Sequence, residues 1–113
     1  MEIQFCTIEH NSEDWQKAVK LREEILRKPL GTSFSSFELE EEKDHIQIIG
    51  KQGDKIICTA VLVPENDFLK MQRVVVQDQL RNRNIGSQMM EYCEGLGLKM
   101  GFKAISAMPE ILQ

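Results

Sequence analysis

The stretch VVVQDQLRNRNIGS, residues 74–87, decides the fold and the chemistry of this sequence. Its three β-branched valines predict the end of a buried strand. Asn82 and Asn84 predict a loop, because asparagine tolerates the left-handed backbone conformation, and a helix is predicted to start near Gly86. At a helix start several backbone N–H groups lack intrahelical partners, and the helix dipole adds a partial positive charge. The stretch therefore predicts a binding site for phosphate or pyrophosphate.

The side chains of this loop fit the same prediction. Arg81 and Arg83 carry positive charge that would attract an anion or bond to it directly. A side chain at position 86 would block close approach to the backbone, so Gly86 has a physical reason to be glycine. The Gly-Lys-Ser/Thr of a Walker loop and the GxGxxG spacing of a dinucleotide fingerprint are both absent from the sequence. An ordinary strand-to-helix connection is the alternative interpretation of the loop.

Hydrophobic periodicity predicts the other elements on either side of this stretch. Arg22 interrupts the apolar stripe of the first predicted helix, and a buried arginine needs an acidic or backbone partner. The prediction comprises strands over 3–8, 45–49, 55–63, 68–76 and 103–107, helices from Asn11 or Ser12 to before Pro29 and from near Gly86 to Gly101, a polar loop over 31–37 followed by a helical turn over 38–43, and turns over 51–54 and 64–67.

The lengths of the connections predict the topology. Short turns join the three central strands, which indicates an antiparallel meander. The last two strands flank a helix, and such a crossover makes them parallel with a right-handed connection. The chain of 113 residues suits one domain over 1–113. The sequence therefore predicts a mixed α/β (α+β) fold with a twisted mixed sheet.

Composition and charge narrow the class of protein. The net charge of −4 argues against a nucleic-acid partner. No stretch approaches the roughly 20 apolar residues that span a bilayer, and the N-terminus lacks a secretory signal. We therefore expect a cytoplasmic protein without a membrane partner. Cys6, Cys58 and Cys93 fit neither a metal spacing nor a disulfide framework, so we expect no metal, with Cys58 and Cys93 as reduced core thiols.

The residues around the loop resemble the GNAT N-acetyltransferase superfamily. Members of this family often carry Arg-Gly-Lys-Gly-Ile-Gly-Ser after a valine-rich strand; here Arg81, Ile85, Gly86 and Ser87 match, Arg83 keeps the charge of the lysine, and Asn82 and Asn84 replace glycines. The segments 21–31 and 38–45, the latter acid-rich and ending in His45, resemble a bacterial subgroup of the family. The segment 101–105 is similar to the family's entry into its fifth strand.

The resemblance implies a fold, a co-substrate and a reaction. The family's sheet splays between its fourth and fifth strands and admits acetyl-CoA there. Its pyrophosphate would lie on the backbone of the loop, and its pantetheine arm would pair with the fourth strand, where a backbone N–H polarises the thioester carbonyl. The residues so implied are Val74, Val75, Val76, Arg81, Asn82, Arg83, Asn84, Ile85, Gly86 and Ser87. A primary amine, on a small molecule or a protein, would attack the thioester directly.

The resemblance leaves the proton transfers and the completeness of the domain open. The candidate bases, which we do not rank, are Glu38, Glu42, Asp44 and His45. Family members continue past the fifth strand with a helix, often bearing a tyrosine acid, and two strands. Tyr92 lies in a different element, so the resemblance implies a partial domain without that helix and those strands, or a homodimer that supplies the missing wall.

Three functions follow as hypotheses. The first is an active N-acetyltransferase. The second is a catalytically incomplete acyl-CoA-binding or regulatory module, and the third is an interaction domain that binds no nucleotide.

Overall fold

Five strands form one sheet in which every strand pairs with the next one along the chain. The computed structural model describes residues 3–27, 30–31, 35–77 and 84–107. The strands are β1 (Gln4–Ile8), β2 (Ile46–Gln52), β3 (Lys55–Pro64), β4 (Phe68–Val76) and β5 (Ala104–Ala107). The first three pairings are antiparallel and β4 pairs with β5 in parallel. The predicted α+β class, meander and parallel crossover are therefore confirmed.

The helices flank the sheet and begin at polar caps. They are α1 (Glu13–Arg22), continued by a π-turn (Glu23–Arg27), then α2 (Ser36–Glu41), continued by a 3₁₀ turn (Glu42–Asp44), and α3 (Ile85–Lys99). The Ser12 hydroxyl accepts a hydrogen bond from the N–H of Trp15 and caps α1. Ser35 and Glu38 form a capping box at the start of α2, so this helix begins inside the predicted loop 31–37.

The first hairpin is tighter than the sequence predicted. The turn was expected over 51–54, but β2 continues through Gln52, which pairs with Lys55. Only Gly53 and Asp54 remain in the turn. Gly53 has a φ of +64°, the conformation that a two-residue hairpin turn demands of its first central residue.

The two faces of the sheet are covered by different helices. Ile85, Met89 and Cys93 of α3 pack in the larger core cluster, which also contains Val74 and Val76 of β4. On the opposite face, Ala18 of α1 packs with two isoleucines of β2 and β3, Ile49 and Ile56. No helix of the described segments is long and apolar enough to cross a membrane.

The last helix ends at a glycine, as predicted. Gly101 has a φ of +93°. Its N–H donates to the carbonyl of Leu98 (3.1 Å), and the N–H of Phe102 donates to that of Gly97 (2.9 Å). This pair of bonds is the Schellman arrangement, which directs the chain back along the sheet into β5.

Candidate functional site

The parallel pairing between β4 and β5 covers only the first part of β4. The ladder runs from Phe68 opposite Ala104 to Met71 opposite Ala107. β4 continues for five more residues, Gln72–Val76, towards the start of α3. Within the described part of the chain, this second half of β4 therefore has no β5 partner. The residues that follow β5, 108–113, lie outside the described part of the chain.

A β-bulge lies where β4 leaves β5. On β3, Thr59 pairs with Val75 and Val61 pairs with Gln72, so Arg73 and Val74 share one opposing position. Arg73 has a φ of +51°, which is unusual for a residue with a side chain. This bulge was not predicted from the sequence.

The sequence did carry a signal for the bulge. The fully or nearly buried side chains that pack in the cluster with α3 are Leu69, Met71, Val74 and Val76. Their numbers change from odd to even between 71 and 74. Because side chains alternate strictly along a regular strand, this change indicates one inserted residue.

The start of α3 presents uncapped backbone groups to the same region. Asn84 is the N-cap residue and adopts the left-handed conformation, with φ +61° and ψ +22°, as its asparagine identity allows. The Asn84 side chain makes no capping hydrogen bond, and the first turn of the helix contains no acidic residue. Ile85, fully buried, anchors the helix start to the core. The arrangement suits an anion at the first-turn N–H groups.

A cleft of about 530 Å³ lies between β4 and α3. It is lined by Met71, Val74, Gly86, Ser87, Met90, Glu91 and Glu94. A Cβ atom built on Gly86 would meet no protein atom within 4 Å. The packing of the fold therefore does not require glycine at this position. Gly86 borders open space at the start of α3, where an approaching ligand would contact it.

The structure brings some of the predicted site residues together. Val74 lines the cleft, Val75 is fully buried, and Val76 packs in the α3 cluster. Asn84, Ile85, Gly86 and Ser87 form the start of α3. The predictions for Arg81, Asn82 and Arg83 lie outside the described residues.

Two basic residues near the loop have acidic partners. The Lys70 ammonium lies 3.6 Å from a Glu65 carboxylate oxygen. The Arg73 guanidinium donates to Glu42 at 2.9 Å. In these contacts, neither the Lys70 ammonium nor the Arg73 guanidinium is directed at the start of α3.

Glu42, one of the candidate bases, is the centre of a buried ion cluster that we define as Arg22, Glu42 and Arg73. The Arg22 guanidinium donates to both carboxylate oxygens (3.1 and 2.9 Å), and Arg73 and Gln47 donate as well (2.9 and 3.3 Å). Arg22 and Glu42 are both 0% exposed. The expectation of an acidic partner for Arg22 is confirmed. The Glu42 carboxylate is fully buried and engaged by these donors, so it is not accessible to an incoming amine and is set aside as a base.

The π-turn explains how two arginines reach neighbouring carboxylates. Its hydrogen bonds span five residues instead of four, so Arg22 and Arg27 project towards the same side. Arg22 contacts Glu42, and Arg27 donates to Glu38 at 3.0 Å. The π-turn therefore connects α1 to both parts of the α2 segment.

The other candidate bases differ in their environment. The backbone N–H of Ser35, together with Arg27 and Arg73, holds the pKa of the Glu38 carboxyl below its usual value. Burial lowers the pKa of His45 below 6.5, with a smaller contribution from Arg73. Nδ1 of His45 is buried and has no hydrogen-bond partner among the described residues. Asp44 is exposed on the 3₁₀ turn.

The cysteines lead to a first testable prediction. Burial raises the pKa of both Cys58 and Cys93 to about 12, whereas Cys6 is exposed on β1. Because the thiolate is the reactive form, we expect native protein at pH 8 to react rapidly with a disulfide reagent at Cys6 alone. Titration should give one fast equivalent, and three after unfolding. Cys6→Ser should abolish the fast phase; its persistence would contradict the assignment.

Comparison with known proteins identifies the relatives of this arrangement. The sequence matches the acetyltransferase (GNAT) family over residues 8–111. No curated protein matches the chain. The fold is similar to an aminoglycoside acetyltransferase from an uncultured soil metagenomic sample (13% identity, TM-score 0.74, covering 96% of this chain and 80% of that one). It is also similar to glucosamine-6-phosphate N-acetyltransferase from Arabidopsis thaliana (14%, 0.67, 96% and 82%) and to Escherichia coli ElaA (19%, 0.70, 87% and 71%).

Proposed function

Because the chain belongs to the acetyltransferase (GNAT) family, we propose that it transfers the acetyl group of acetyl-CoA to a primary amine. One observation carries this proposal: the second half of β4, which pairs with no described residue of β5, lies beside the start of α3, and a cleft joins them. An extended thioester with a pyrophosphate at one end fits that juxtaposition. Acetyl-CoA supplies the activated acetyl group.

Backbone groups of this chain would make most of the contacts with acetyl-CoA. The first-turn N–H groups of α3, from Asn84 to Ser87, would donate to the pyrophosphate, with Arg81, Asn82 and Arg83 completing the loop. Val74, Val75 and Val76 would pair through their backbone with the pantetheine arm, as an added strand does. A backbone N–H in this part of β4 would stabilise the oxyanion that forms when the amine attacks the thioester.

His45 is proposed as the group that accepts the proton of the attacking amine. Burial lowers the pKa of the imidazole, which favours its neutral, proton-accepting form. It directly precedes β2 and lies within electrostatic range of Glu42 and of Arg73, the residue at the β4 bulge. The transfer would need no covalent enzyme intermediate, which agrees with the burial of two of the cysteines.

The acceptor is proposed to be a cationic amine. Glu40, Glu41 and Asp44 are exposed on α2 and the turn that follows it, and such a surface raises the local concentration of positively charged substrates. The fold is shared with enzymes whose names give aminoglycosides and an amino sugar phosphate as acceptors. A panel for testing would therefore contain aminoglycosides, hexosamine phosphates, polyamines and lysine peptides.

A thiol-release assay over this panel, with calorimetry for acetyl-CoA, tests the function. Turnover with at least one amine supports the proposal. Acetyl-CoA binding without turnover on any amine would favour the acyl-CoA-binding or regulatory module instead. If the protein neither binds acetyl-CoA nor acetylates an amine, both the acetyltransferase function and the acyl-CoA-binding function are contradicted. The Cys6→Ser variant removes the reactive protein thiol from the assay background.

Replacing Gly86 with valine is expected to weaken acetyl-CoA binding. The new side chain would occupy the open space at the helix start and keep the pyrophosphate from the backbone. Losing one or two charge-assisted hydrogen bonds, each worth about 1.5–3 kcal/mol, corresponds to an increase in Kd of roughly 100-fold. Calorimetry measures the change.

Gly95→Val is the matched control for Gly86→Val. Gly95 lies in the same helix, is exposed, and also has no protein atom within 4 Å of a built Cβ. It does not line the cleft. Both variants place the same side chain on α3 where no protein atom obstructs it, so only Gly86→Val should lose affinity. Equal Kd values for the two would exclude the start of α3 as the pyrophosphate site.

A further inference from the structure

The ion cluster is costly to bury and needs an explanation beyond stability. Two guanidinium groups and one carboxylate come together where Arg22 and Glu42 are 0% exposed and the Arg73 side chain is 15% exposed. Removing such charges from water opposes folding, and well-packed apolar residues would often serve stability equally well. The cluster also joins three parts of the chain that are distant in sequence: the end of α1, the turn after α2, and β4.

The member of the cluster on β4 is the residue at the bulge. Arg73 holds a positive φ of +51°, a conformation that is sterically unfavourable for a residue with a side chain. Its Nη1 donates to Glu42 at 2.9 Å, and its Nη2 lies 3.7 Å from a Glu38 oxygen. The side chain is thus anchored to two carboxylates directly at the strained backbone position.

The bulge determines which residues of β4 face the cleft. With the inserted residue, Val74 and Val76 pack on the α3 side, and Val74 lines the cleft. Without it, the later part of the strand would shift by one residue and turn each side chain to the other face. The position of Arg73 therefore sets the geometry of the β4 segment that faces the ligand.

We propose that Arg22 and Glu42 are positioning residues, which hold the Arg73 side chain and thereby fix the bend of β4 that aligns its backbone with the thioester. This inference rests on the proposed function. The cluster acts on the chemical step through the backbone of β4, and none of its side chains contacts the reacting atoms. It also explains why the buried carboxylate lies on the 3₁₀ turn after α2, opposite the bulge.

Arg73→Gly tests the inference with little risk to folding. Glycine adopts a φ of +51° without the steric cost, and Glu42 keeps both bonds from Arg22. The variant would lose the side chain that anchors the bend, although its backbone could still adopt the bent conformation. Because alignment matters most in the transition state, we expect kcat to fall about 10- to 100-fold while the Kd for acetyl-CoA changes less than about threefold. Amide hydrogen exchange at residues 72–75 should accelerate at least about tenfold, since local opening becomes easier.

Two further variants separate positioning from general stability. Arg73→Lys keeps a cation within reach of Glu42 and should recover part of kcat and of the protection from exchange. Lys51→Gln breaks the ion pair of Lys51 with Asp14 (3.2 Å), which also connects α1 to the sheet but does not involve β4. Its kcat, Kd and β4 exchange should match those of the wild type.

The outcomes that overturn the inference are specific. An unchanged kcat with unchanged exchange in Arg73→Gly would do so. Parallel losses of kcat, acetyl-CoA affinity and melting temperature would also do so, because they indicate general loosening. If the wild type acetylates no amine, the proposed function fails, and exchange alone decides: accelerated exchange at residues 72–75 supports the anchoring role and unchanged exchange overturns it.

Discussion

His45→Gln is expected to lower kcat/KM about 100-fold or more at pH 7.5, the usual contribution of a positioned general base. The wild-type rate should rise with pH through a midpoint lower than that of an ordinary histidine and then level off. The direction of this pH dependence follows from burial. Burial disfavours the imidazolium, so the pKa of His45 is lowered and the neutral, proton-accepting form is favoured. Glutamine keeps a polar side chain of similar reach but accepts no proton, so the acidic limb should disappear. A pH series of kcat/KM measures both effects.

His10→Gln provides the control for this variant. His10 is the other histidine, and its Nε2 lies 2.9 Å from the carbonyl oxygen of Leu39 while its ring contacts Trp15. It binds together β1, α1 and α2 and has no place in the proposed reaction. Its variant should keep the acidic limb. A limb that survives His45→Gln unchanged would transfer the role of base to Asp44 or to a water chain.

Replacing Glu42 with alanine is expected to reduce the free energy of unfolding by about 3–5 kcal/mol, the cost of leaving a buried charge without its partner. Arg22 is 0% exposed and would lose the carboxylate to which it donates two hydrogen bonds. For a domain stable by about 5–15 kcal/mol this is a large fraction of the total. Urea unfolding followed by far-ultraviolet circular dichroism measures it.

Glu38→Ala is the comparison for Glu42→Ala. Glu38 pairs with Arg27 at 3.0 Å, but its side chain is 27% exposed. Water can take over part of the role of a partly exposed partner, but Glu38 also closes the capping box of α2 and lies 3.7 Å from Arg73, so the loss should be about 1–2 kcal/mol, below that of Glu42→Ala. Similar losses for the two variants would show that burial of the cluster does not control its energy, and would weaken the case for a specific anchor on β4.

The sequence predicted the parts of the fold that depend on local pattern. The apolar run before Pro64 and the valines of β4 indicated central strands because burial on both faces leaves no alternation. Gly101 indicated the end of α3 because only a residue free to adopt positive φ continues that way. The need of Arg22 for a partner was predicted from burial alone, and the partner is Glu42.

The features that escaped prediction are set by distant contacts. The bulge at Arg73 and the π-turn each insert a residue, and each carries an arginine to a carboxylate in the α2 segment. The residues involved have no local propensity for these shapes. The sequence therefore did not distinguish Glu42 from its acidic neighbours, although it alone among them is fully buried.

The pairing of each strand with its neighbour along the chain has a kinetic consequence. β2, β3 and β4 are joined by short turns, so their contacts close small loops and can form early. The contact of β4 with β5 must wait until the intervening segment, including the 15 residues of α3, has folded across the sheet. The ligand cleft is lined by residues of β4 and α3, so it also forms only after α3 has packed on the sheet. During refolding, the hairpins should therefore acquire their native signal before the chain acquires its affinity for ligand.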